Sequence, residues 1–179
     1  MIDYEKIINK YYGNESRLRT ILTVHSRLVA EKALACARAR GIEADLTFVE
    51  EAAMLHDIGI FRCNAPDICC EGELPYICHG VEGRRILDLE GLPRHALVCE
   101  RHTGAGLTVS DIIRQNLPLP HRDMTPQSVE ERLVCYADKF YSKSGDIRAE
   151  KPLERVLRSM ERHGPDTLAR FLELHKEFG

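Results

Sequence analysis

Long apolar runs are missing from this sequence, and so is the pattern of a secretion signal. No stretch approaches the roughly 20 consecutive apolar residues that a membrane-spanning helix needs. The opening segment, Met1–Lys10, is amphipathic and charged and lacks the apolar centre of a signal peptide. The sequence has seven cysteines, an odd number, so they cannot all pair in disulfide bonds within the chain. We therefore expect a cytoplasmic protein whose thiols are reduced.

A strong excess of charge of either sign is also missing. The net charge is −3 at pH 7, with 30% charged and 44% hydrophobic residues, which is the composition of an ordinary globular protein. This balance argues against a broad nucleic-acid-binding surface and against a membrane as partner. A chain of 179 residues fits a single domain spanning 1–179 with one sizeable core.

Convincing strand patterns and internal repeats are absent, whereas helical periodicity is strong. Over Glu15–Arg40, apolar residues recur at steps of three and four and form one helical face. We predict an all-α bundle, with a functional core over 15–145 and C-terminal helices over 150–179 packed on it. A loop is predicted over Arg62–Tyr76. Caps, prolines and glycines place the helices at Asp3–Tyr12, Glu15–Arg40, 45–57, 79–90, 93–102, a short one capped by Ser110, one from Thr125-Pro126 through Phe140, Pro152–Arg162 and Pro165–Phe178.

The sequence is unusually rich in histidine, with eight residues of this type. One of them precedes an aspartate at the predicted end of a helix. The segment His56-Asp57-Ile58-Gly59 can point an imidazole and a carboxylate into one pocket. His25 lies on the apolar face of its helix and is therefore expected to point inward. His79, His102 and Asp138 can complete the set, because imidazole and carboxylate groups suit divalent metals. The sequence predicts a metal site that the fold must assemble from distant segments.

These residues resemble the signature of the HD-domain phosphohydrolase superfamily. His25, His56-Asp57 and Asp138 match its H…HD…D pattern in order and approximate spacing, and residues 56–59 spell the name of its HDIG subgroup. The resemblance covers residues 20–145 and implies an all-α HD-domain bundle. Three further segments are similar to the dinuclear bacterial branch that hydrolyses diadenosine tetraphosphate symmetrically: His79-Gly80, His102-Thr103-Gly104 and Ala137-Asp138-Lys139.

Carried over position by position, the resemblance implies two divalent ions, most readily iron or manganese, with magnesium, cobalt or nickel as alternatives. The second ion would be held by His79 and His102, unless these histidines bind phosphate directly. Asp57 would bridge both ions and hold the attacking hydroxide. Many HDIG relatives have a lysine directly after the glycine, where this chain has Ile60, so that phosphate contact is missing here. The first ion would have four ligands, His25, His56, Asp57 and Asp138.

The implied activity is hydrolysis of a phosphate ester or phosphoanhydride of a nucleotide-like small molecule by metal-bound hydroxide. Dinucleoside polyphosphate hydrolysis is the first expectation, and a small phosphorylated substrate is the expected partner. Three alternatives stay open: a mononuclear nucleoside monophosphate phosphatase, a non-catalytic HD signalling module, and a di-iron oxygenase. The oligomeric state also stays open, with a homodimer among the alternatives.

Two further groups of side chains are of interest. Four cysteines between residues 63 and 78 have the spacing C-x5-C-C-x7-C, which fits no common zinc or iron–sulfur motif, so we expect free thiols there. The other group is basic and is a candidate for substrate binding, although charged side chains are more often solvated or paired. It comprises Lys139, Arg101, Arg122 and His121.

Overall fold

A computed structural model of the chain describes residues 2–13 and 15–179, and it confirms the all-α prediction. Asn14, part of the predicted break after the first helix, and Met1 lie outside the described residues. None of the helices in the described ranges is both long enough and apolar enough to cross a membrane. These helices are α1 (Tyr4–Tyr12), α2 (Arg17–Ala39), α3 (Leu46–Leu55), α4 (His79–Leu89), α5 (Pro93–Arg101), α6 (Val109–Arg114), α7 (Val129–Asp138), α8 (Leu153–Arg162) and α9 (Pro165–Phe178).

Local capping explains where several helices begin. The side chains of Asp3, Ser16 and Asp45 each accept a hydrogen bond from the backbone amide three residues later, at the starts of α1, α2 and α3. Pro93 and Pro165 occupy the first positions of α5 and α9, where a missing amide hydrogen costs nothing. These signals are local, and the predicted positions of these helices agree closely with the structure.

Two predicted helix starts were wrong. Helix α6 is capped by Thr108 and not by Ser110, because Thr108 and Asp111 form a reciprocal capping box. Helix α7 begins at Val129, after the cap Ser128, and not at Thr125-Pro126. The Thr125 amide instead donates to the Asp123 carboxylate at 2.9 Å, which holds that segment in a turn.

The predicted loop over 62–76 contains a small antiparallel hairpin. Strand β1 (Asn64–Ala65) pairs with β2 (Cys70–Glu71), and each strand has two residues, so the fold class is unchanged. All seven cysteines are free, as predicted. Neither of the donor clusters found among the described residues includes a cysteine.

Two apolar clusters fill most of the interior, and α2 and α3 contribute to both. The first joins the C-terminal half of α2 to α3, α7, α8 and α9, and includes Val29 and Phe171. The second joins the start of α2 to α1, α4 and α5, and includes Leu22 and Leu55. His25 lies on α2 between Leu22 and Val29. It therefore stands at the boundary of the two clusters, where helices from both sides meet.

Candidate metal centre

The structure brings the six predicted metal-binding side chains into two overlapping groups of buried donors. Within each group the donor atoms lie within 4.8 Å of one another, and Asp57 belongs to both groups. Donors this close together, drawn from five helices, form a site that can hold divalent ions. The first group comprises His25, His56, Asp57 and Asp138, and the second comprises Asp57, His79 and His102.

Helix ends position most of these side chains. His25 lies in the middle of α2, whereas His56-Asp57 directly follows α3 and His102 directly follows α5. His79 is the first residue of α4, and Asp138 is the last residue of α7. Helix ends leave backbone groups without partners inside the helix, and the histidines of this site use some of them.

Three histidines share one orientation. The Nδ1 atoms of His56, His79 and His102 lie 2.6, 2.7 and 2.7 Å from the carbonyl oxygen of the residue three positions earlier. Because a carbonyl oxygen can only accept, Nδ1 donates the hydrogen. In the neutral imidazole each Nε2 is then left with a lone pair toward the donor cluster, which is the tautomer that metal ligation requires. The accepting carbonyls belong to Ala53, Tyr76 and Cys99.

The two carboxylate oxygens of Asp57 face different imidazoles. Oδ2 lies 3.3 Å from Nε2 of His25 and 3.1 Å from Nε2 of His56. Oδ1 lies 3.5 Å from Nε2 of His79 and 3.5 Å from Nε2 of His102. A carboxylate with one oxygen toward each group is placed as a bridging ligand would be.

Buried polar atoms without hydrogen bonds test whether cations fit here. Both oxygens of Asp57 and Nε2 of His56 are buried and make no well-oriented hydrogen bond, although the amine of Lys143 lies 2.6 Å from Oδ2 of Asp57. Burying such atoms without compensation is costly, and native proteins normally satisfy them. Bound divalent ions would supply the missing partners, so the donor set fits a metal.

Neighbouring charges keep both carboxylates ionised. Burial raises the pKa of Asp57, but His56 and Lys143 outweigh burial and hold that pKa well below its ordinary value. Burial likewise raises the pKa of Asp138, and Lys139 and Lys143 reverse the effect. The site therefore carries two anionic ligands at neutral pH.

The imidazoles of the two groups respond differently to burial. Burial lowers the pKa of His56, but attraction to the neighbouring carboxylates of Asp57 and Asp138 prevails and raises it to about 9. The pKa of His79 falls to about 3, because burial and the neighbouring His102 both disfavour a charge. Burial also lowers the pKa of His102. The imidazoles of His79 and His102 are therefore neutral near pH 7, whereas His56 carries a second ring proton and a positive charge when no ion is bound.

Two glycines allow α4 to approach the rest of the site. A Cβ atom on Gly59 would lie 2.3 Å from the carbonyl oxygen of His79 and 2.4 Å from the amide nitrogen of Gly83. A Cβ atom on Gly80 would lie 2.6 Å from the carbonyl oxygen of Cys99 on α5. Any side chain at these positions would push α4 away and carry His79 away from the shared aspartate.

Sequence reasoning did not find Lys143. Its amine lies 2.6 Å from Oδ2 of Asp57, although the residue belongs to an irregular segment that follows α7. No motif marks a lysine in such a segment, and only the turn of the chain after Asp138 brings it back to the site. Ile60, which stands where many relatives have lysine, is completely buried in the apolar core. A cationic group thus reaches the site from another part of the fold.

The side chain of Lys139 makes its hydrogen bonds within the protein. It is buried, and its amine donates to the carbonyl oxygen of His102 at 2.9 Å and to Oδ2 of Asp138 at 2.5 Å. These bonds tie the end of α7 to the end of α5. In this structure Lys139 positions two ligand-bearing segments, and its predicted contact with substrate gains no support.

The other basic candidates also have partners or lie at the surface. Arg101 forms an ion pair with Glu131 at 3.0 Å. Nε of Arg122 donates to Glu100 at 2.9 Å. His121 is exposed. None of these contacts joins the side chains to the donor cluster, so their role in substrate binding stays a prediction.

Comparison with known proteins places the fold and the donor set in a family. The sequence profile of the HD domain matches residues 23–142, a range that contains all six donors. The chain therefore belongs to the HD-domain family. No solved structure matches it significantly.

The chain is similar in sequence to several curated proteins. The chain is 33% identical over 147 residues to a tRNA (cytidine(56)-2'-O)-methyltransferase of Thermoplasma volcanium, covering 81% of this chain and 38% of that protein. It is 31% identical over 137 residues to the protein of the same name from Picrophilus torridus, covering 76% of this chain and 36% of that protein. It is 31% identical over 179 residues to an uncharacterized protein of Methanocaldococcus jannaschii, covering 98% and 96% of the two chains. The chain thus spans little more than a third of each named methyltransferase.

Proposed function

We propose that this protein is a metal-dependent phosphohydrolase that acts on a nucleotide-like phosphate ester or anhydride. One observation carries the proposal: two groups of buried donors share Asp57, which turns one carboxylate oxygen toward each group. A single ion would need only one such group. Membership of the HD-domain family supports the same reading.

The six donors would hold two ions, one in each donor group, with Asp57 shared between them. When bound, paired divalent ions lower the pKa of a coordinated water and stabilise in-line displacement at phosphorus. The carbonyl partners of His56, His79 and His102 fix the orientation of those rings before any ion binds. The burial of Asp57 and Asp138 keeps bulk water from competing for the carboxylates. The chain thus supplies a preorganised, dry pocket.

Two substrate classes follow from this reading. The resemblance to the diadenosine tetraphosphate hydrolases favours a dinucleoside polyphosphate, although none of the three relatives described above bears that name. A nucleoside monophosphate is the other class.

A second candidate function rests on the names of the two longer relatives, which are tRNA methyltransferases. In that case the phosphate ester would belong to a tRNA or to a fragment of one. Phosphate release from 5'-phosphorylated and 3'-phosphorylated RNA ends, and ring opening of 2',3'-cyclic phosphate ends to phosphomonoesters, test this candidate. Hydrolysis of RNA ends in preference to free nucleotides would favour it.

Metal analysis of the purified protein, followed by chromatographic assays of the hydrolysis products formed from a panel of nucleotides with Mn²⁺ and Fe²⁺, tests the principal proposal. The products must be separated, because cleavage of a dinucleoside polyphosphate between its phosphates yields nucleotides and no free phosphate. We expect Asp57→Asn to reduce turnover at least ~100-fold, because the bridging oxygen pair is lost. Glu51→Gln is a matched control, since Glu51 is another buried carboxylate, which pairs with His95 at 3.2 Å outside the donor groups. Absence of hydrolysis products from every substrate would refute the proposal.

A further inference from the structure

The six donors of the metal centre are closed off from solvent. None of them is more than 8% exposed, and His25, His56 and Asp57 are completely buried. Ions, and under the proposed function a phosphorylated substrate, must nevertheless reach these atoms. One of the segments that cover the donors must therefore be able to move aside.

The segment between α7 and α8 forms a closed loop against this site. It comprises residues 141–150, and its two ends meet where the amide of Lys151 donates to the carbonyl oxygen of Phe140 at 2.8 Å. A loop of this length whose ends lie together is an Ω-loop. Lys143 reaches from it to the metal centre, with its amine 2.6 Å from Oδ2 of Asp57. The loop thus covers the aspartate that both donor groups share.

The middle of this loop is held by little besides Lys143. Within the described ranges, the hydrogen bonds of residues 144–149 all go to other residues of the loop, such as the 3.1 Å bond from the Arg148 amide to the Asp146 carboxylate. The side chain of Ile147 packs, partly buried, against the second apolar cluster. Lys143 and Ile147 therefore fasten the loop, one by charge and the other by apolar contact. Segments with so little buried apolar surface open at low cost in free energy.

Empty space borders the loop along most of its length. A cavity of about 420 Å³ is lined by residues 141–144 together with the β1–β2 hairpin and Tyr76. A cavity of about 200 Å³ is lined by the middle of the loop and the start of α2. Cavities of about 690 and 550 Å³ lie along α2 and border Arg148 and Glu150, respectively. Because tightly packed segments cannot shift without displacing their neighbours, this space allows the loop a motion that the helices lack.

We propose that residues 141–150 form a lid on the metal centre, and that opening of this lid lets ions reach the donors. The lid opens when Lys143 leaves Asp57 and Ile147 leaves the apolar cluster. When it closes it excludes water, which strengthens electrostatic interactions at the donors. Under the proposed function the substrate uses the same entrance, because its phosphate oxygens must approach the same ions. That last step rests on the proposed function, whereas the passage of ions does not.

Gly145 offers a substitution that strains only the closed loop. It is exposed, its φ of +69° is left-handed, and a Cβ atom there would meet no neighbour within 4 Å. Alanine disfavours this conformation without touching another part of the protein, so Gly145→Ala should raise the population of the open loop at least ~5-fold. Gly91→Ala is the matched control, because Gly91 has a φ of +74°, equally free space and a position outside the loop.

Two measurements on the Mn²⁺-loaded full chain test the lid. Hydrogen–deuterium exchange of residues 141–150 should be faster than that of α2 and α7 in the native protein, and at least ~5-fold faster again in Gly145→Ala. Release of Mn²⁺ to an excess of chelator should accelerate by a similar factor. The metal content at saturation should stay unchanged, since all six donors remain. Gly91→Ala should change neither rate by more than about twofold.

Ile147→Ser tests the same loop through its apolar contact. Loss of that contact should raise both the exchange rate of residues 141–150 and the rate of Mn²⁺ release at least ~10-fold. Ile42→Ser is the matched control, because Ile42 is another partly buried isoleucine, packed against the first apolar cluster and outside the loop. This second variant keeps the test decisive if Gly145→Ala folds poorly.

Two results would overturn the inference and leave the hydrolase proposal standing. Exchange of residues 141–150 as slow as that of α2 in the native protein would show that the loop does not open by itself. Faster exchange in Gly145→Ala and Ile147→Ser with an unchanged rate of Mn²⁺ release would place the entrance elsewhere. Conversely, a parallel rise of both rates in a protein that hydrolyses no substrate would support the lid and refute the hydrolase.

Discussion

At the scale of single residues, the ability of the site to bind an ion depends on which side-chain atoms already make hydrogen bonds within the protein. Three imidazoles commit Nδ1 to a backbone carbonyl, so only Nε2 remains for ligation. Neither oxygen of Asp57 makes a well-oriented hydrogen bond, although the amine of Lys143 lies 2.6 Å from Oδ2. The atoms that remain available, and not the residue types alone, define the two donor groups in which the proposed ions would bind.

Substitution of His79 should distinguish the two donor groups experimentally, because His79 belongs only to the second group. His79→Ala deletes one of the three donors of the second group and leaves the first group intact. We expect metal content to fall from about two ions per chain to about one, measured by elemental analysis after dialysis. His95→Ala is the control, because His95 is a buried histidine outside both groups. About one ion per chain in both the native protein and His79→Ala would show that the second position does not hold an ion, and about two ions in both would show that His79 is not a required ligand.

Metal binding should release protons in a defined pH range. The pKa of His56, raised to about 9, lies above its ordinary value, so the protonated form is favoured below that pH and competes with the ion. Affinity should therefore rise about tenfold per pH unit between pH 7 and 9 and level off above. His79, with a pKa of about 3, should release no proton.

Calorimetry in buffers of different ionisation enthalpy gives the number of protons released. We expect about one proton per chain at pH 7.5 in the native protein. The same linkage has a second consequence without metal. The stabilisation that His56 gains from its proton is present below its ordinary pKa of 6.5 and is lost as the pH rises through about 9. A thermal midpoint in the presence of chelator that stays constant over this range would contradict the assignment.

At the scale of elements, the distance between α4 and the segment after α3 determines whether His79 can reach Asp57. Gly59 has an ordinary φ of −85°, so its role is to leave space and not to adopt a special conformation. The space is occupied by the backbone of α4, which cannot move aside as a side chain could. The glycine of the HDIG segment is thus a packing residue for the metal centre.

Gly59→Ala should damage stability and metal retention together. The added methyl group would meet backbone atoms at 2.3 and 2.4 Å, and overpacking of this kind costs about 1–3 kcal/mol. Gly83→Ala provides a graded comparison, because its methyl group would meet the Cys99 side chain at 3.0 Å. Urea denaturation and metal analysis should rank Gly59→Ala as the more damaging change. Equal effects would mean that the α4 contact does not position His79.

At the scale of the whole molecule, the donors lie between two apolar clusters that hold the helices in register. The first cluster depends on α9, whose Phe171 is completely buried and lies 5.7 Å from the ring of Tyr136 on α7. Helix α9 carries none of the six donors. Its contribution to the site is therefore to hold α7 in place.

Phe171→Ala should lower the free energy of unfolding without changing the metal content of the folded protein. Truncating a completely buried phenylalanine costs about 3–5 kcal/mol in the free energy of unfolding. Metal content per folded chain should stay unchanged, since all donors remain. Leu172→Ala serves as the control, because Leu172 is 45% exposed and its loss should cost no more than about 0.5 kcal/mol. Loss of metal from folded Phe171→Ala would show that α9 shapes the donor cluster directly.

The sequence alone was enough to predict the all-α class and most helix positions, and it singled out the six side chains that the structure brings together. Periodicity and capping act within one or two turns, so they can be read without knowing the fold. The start of α7 was mispredicted because Asp123 binds the Thr125 amide and Ser128 takes over the cap, a local competition that proline alone does not reveal. Membership of the HD-domain family accords with the donor order.

Only the tertiary structure determined how the donor atoms are placed relative to one another. Which oxygen of Asp57 faces which imidazole, the approach of Lys143 and the cavity beside Tyr76 all depend on segments that are distant in the chain. Such contacts form only when helices pack against one another, and they leave no periodic trace in the order of residues. Local hydrogen bonding and apolar spacing are encoded along the chain, whereas a site built from five helices exists only after the two apolar clusters have closed around it.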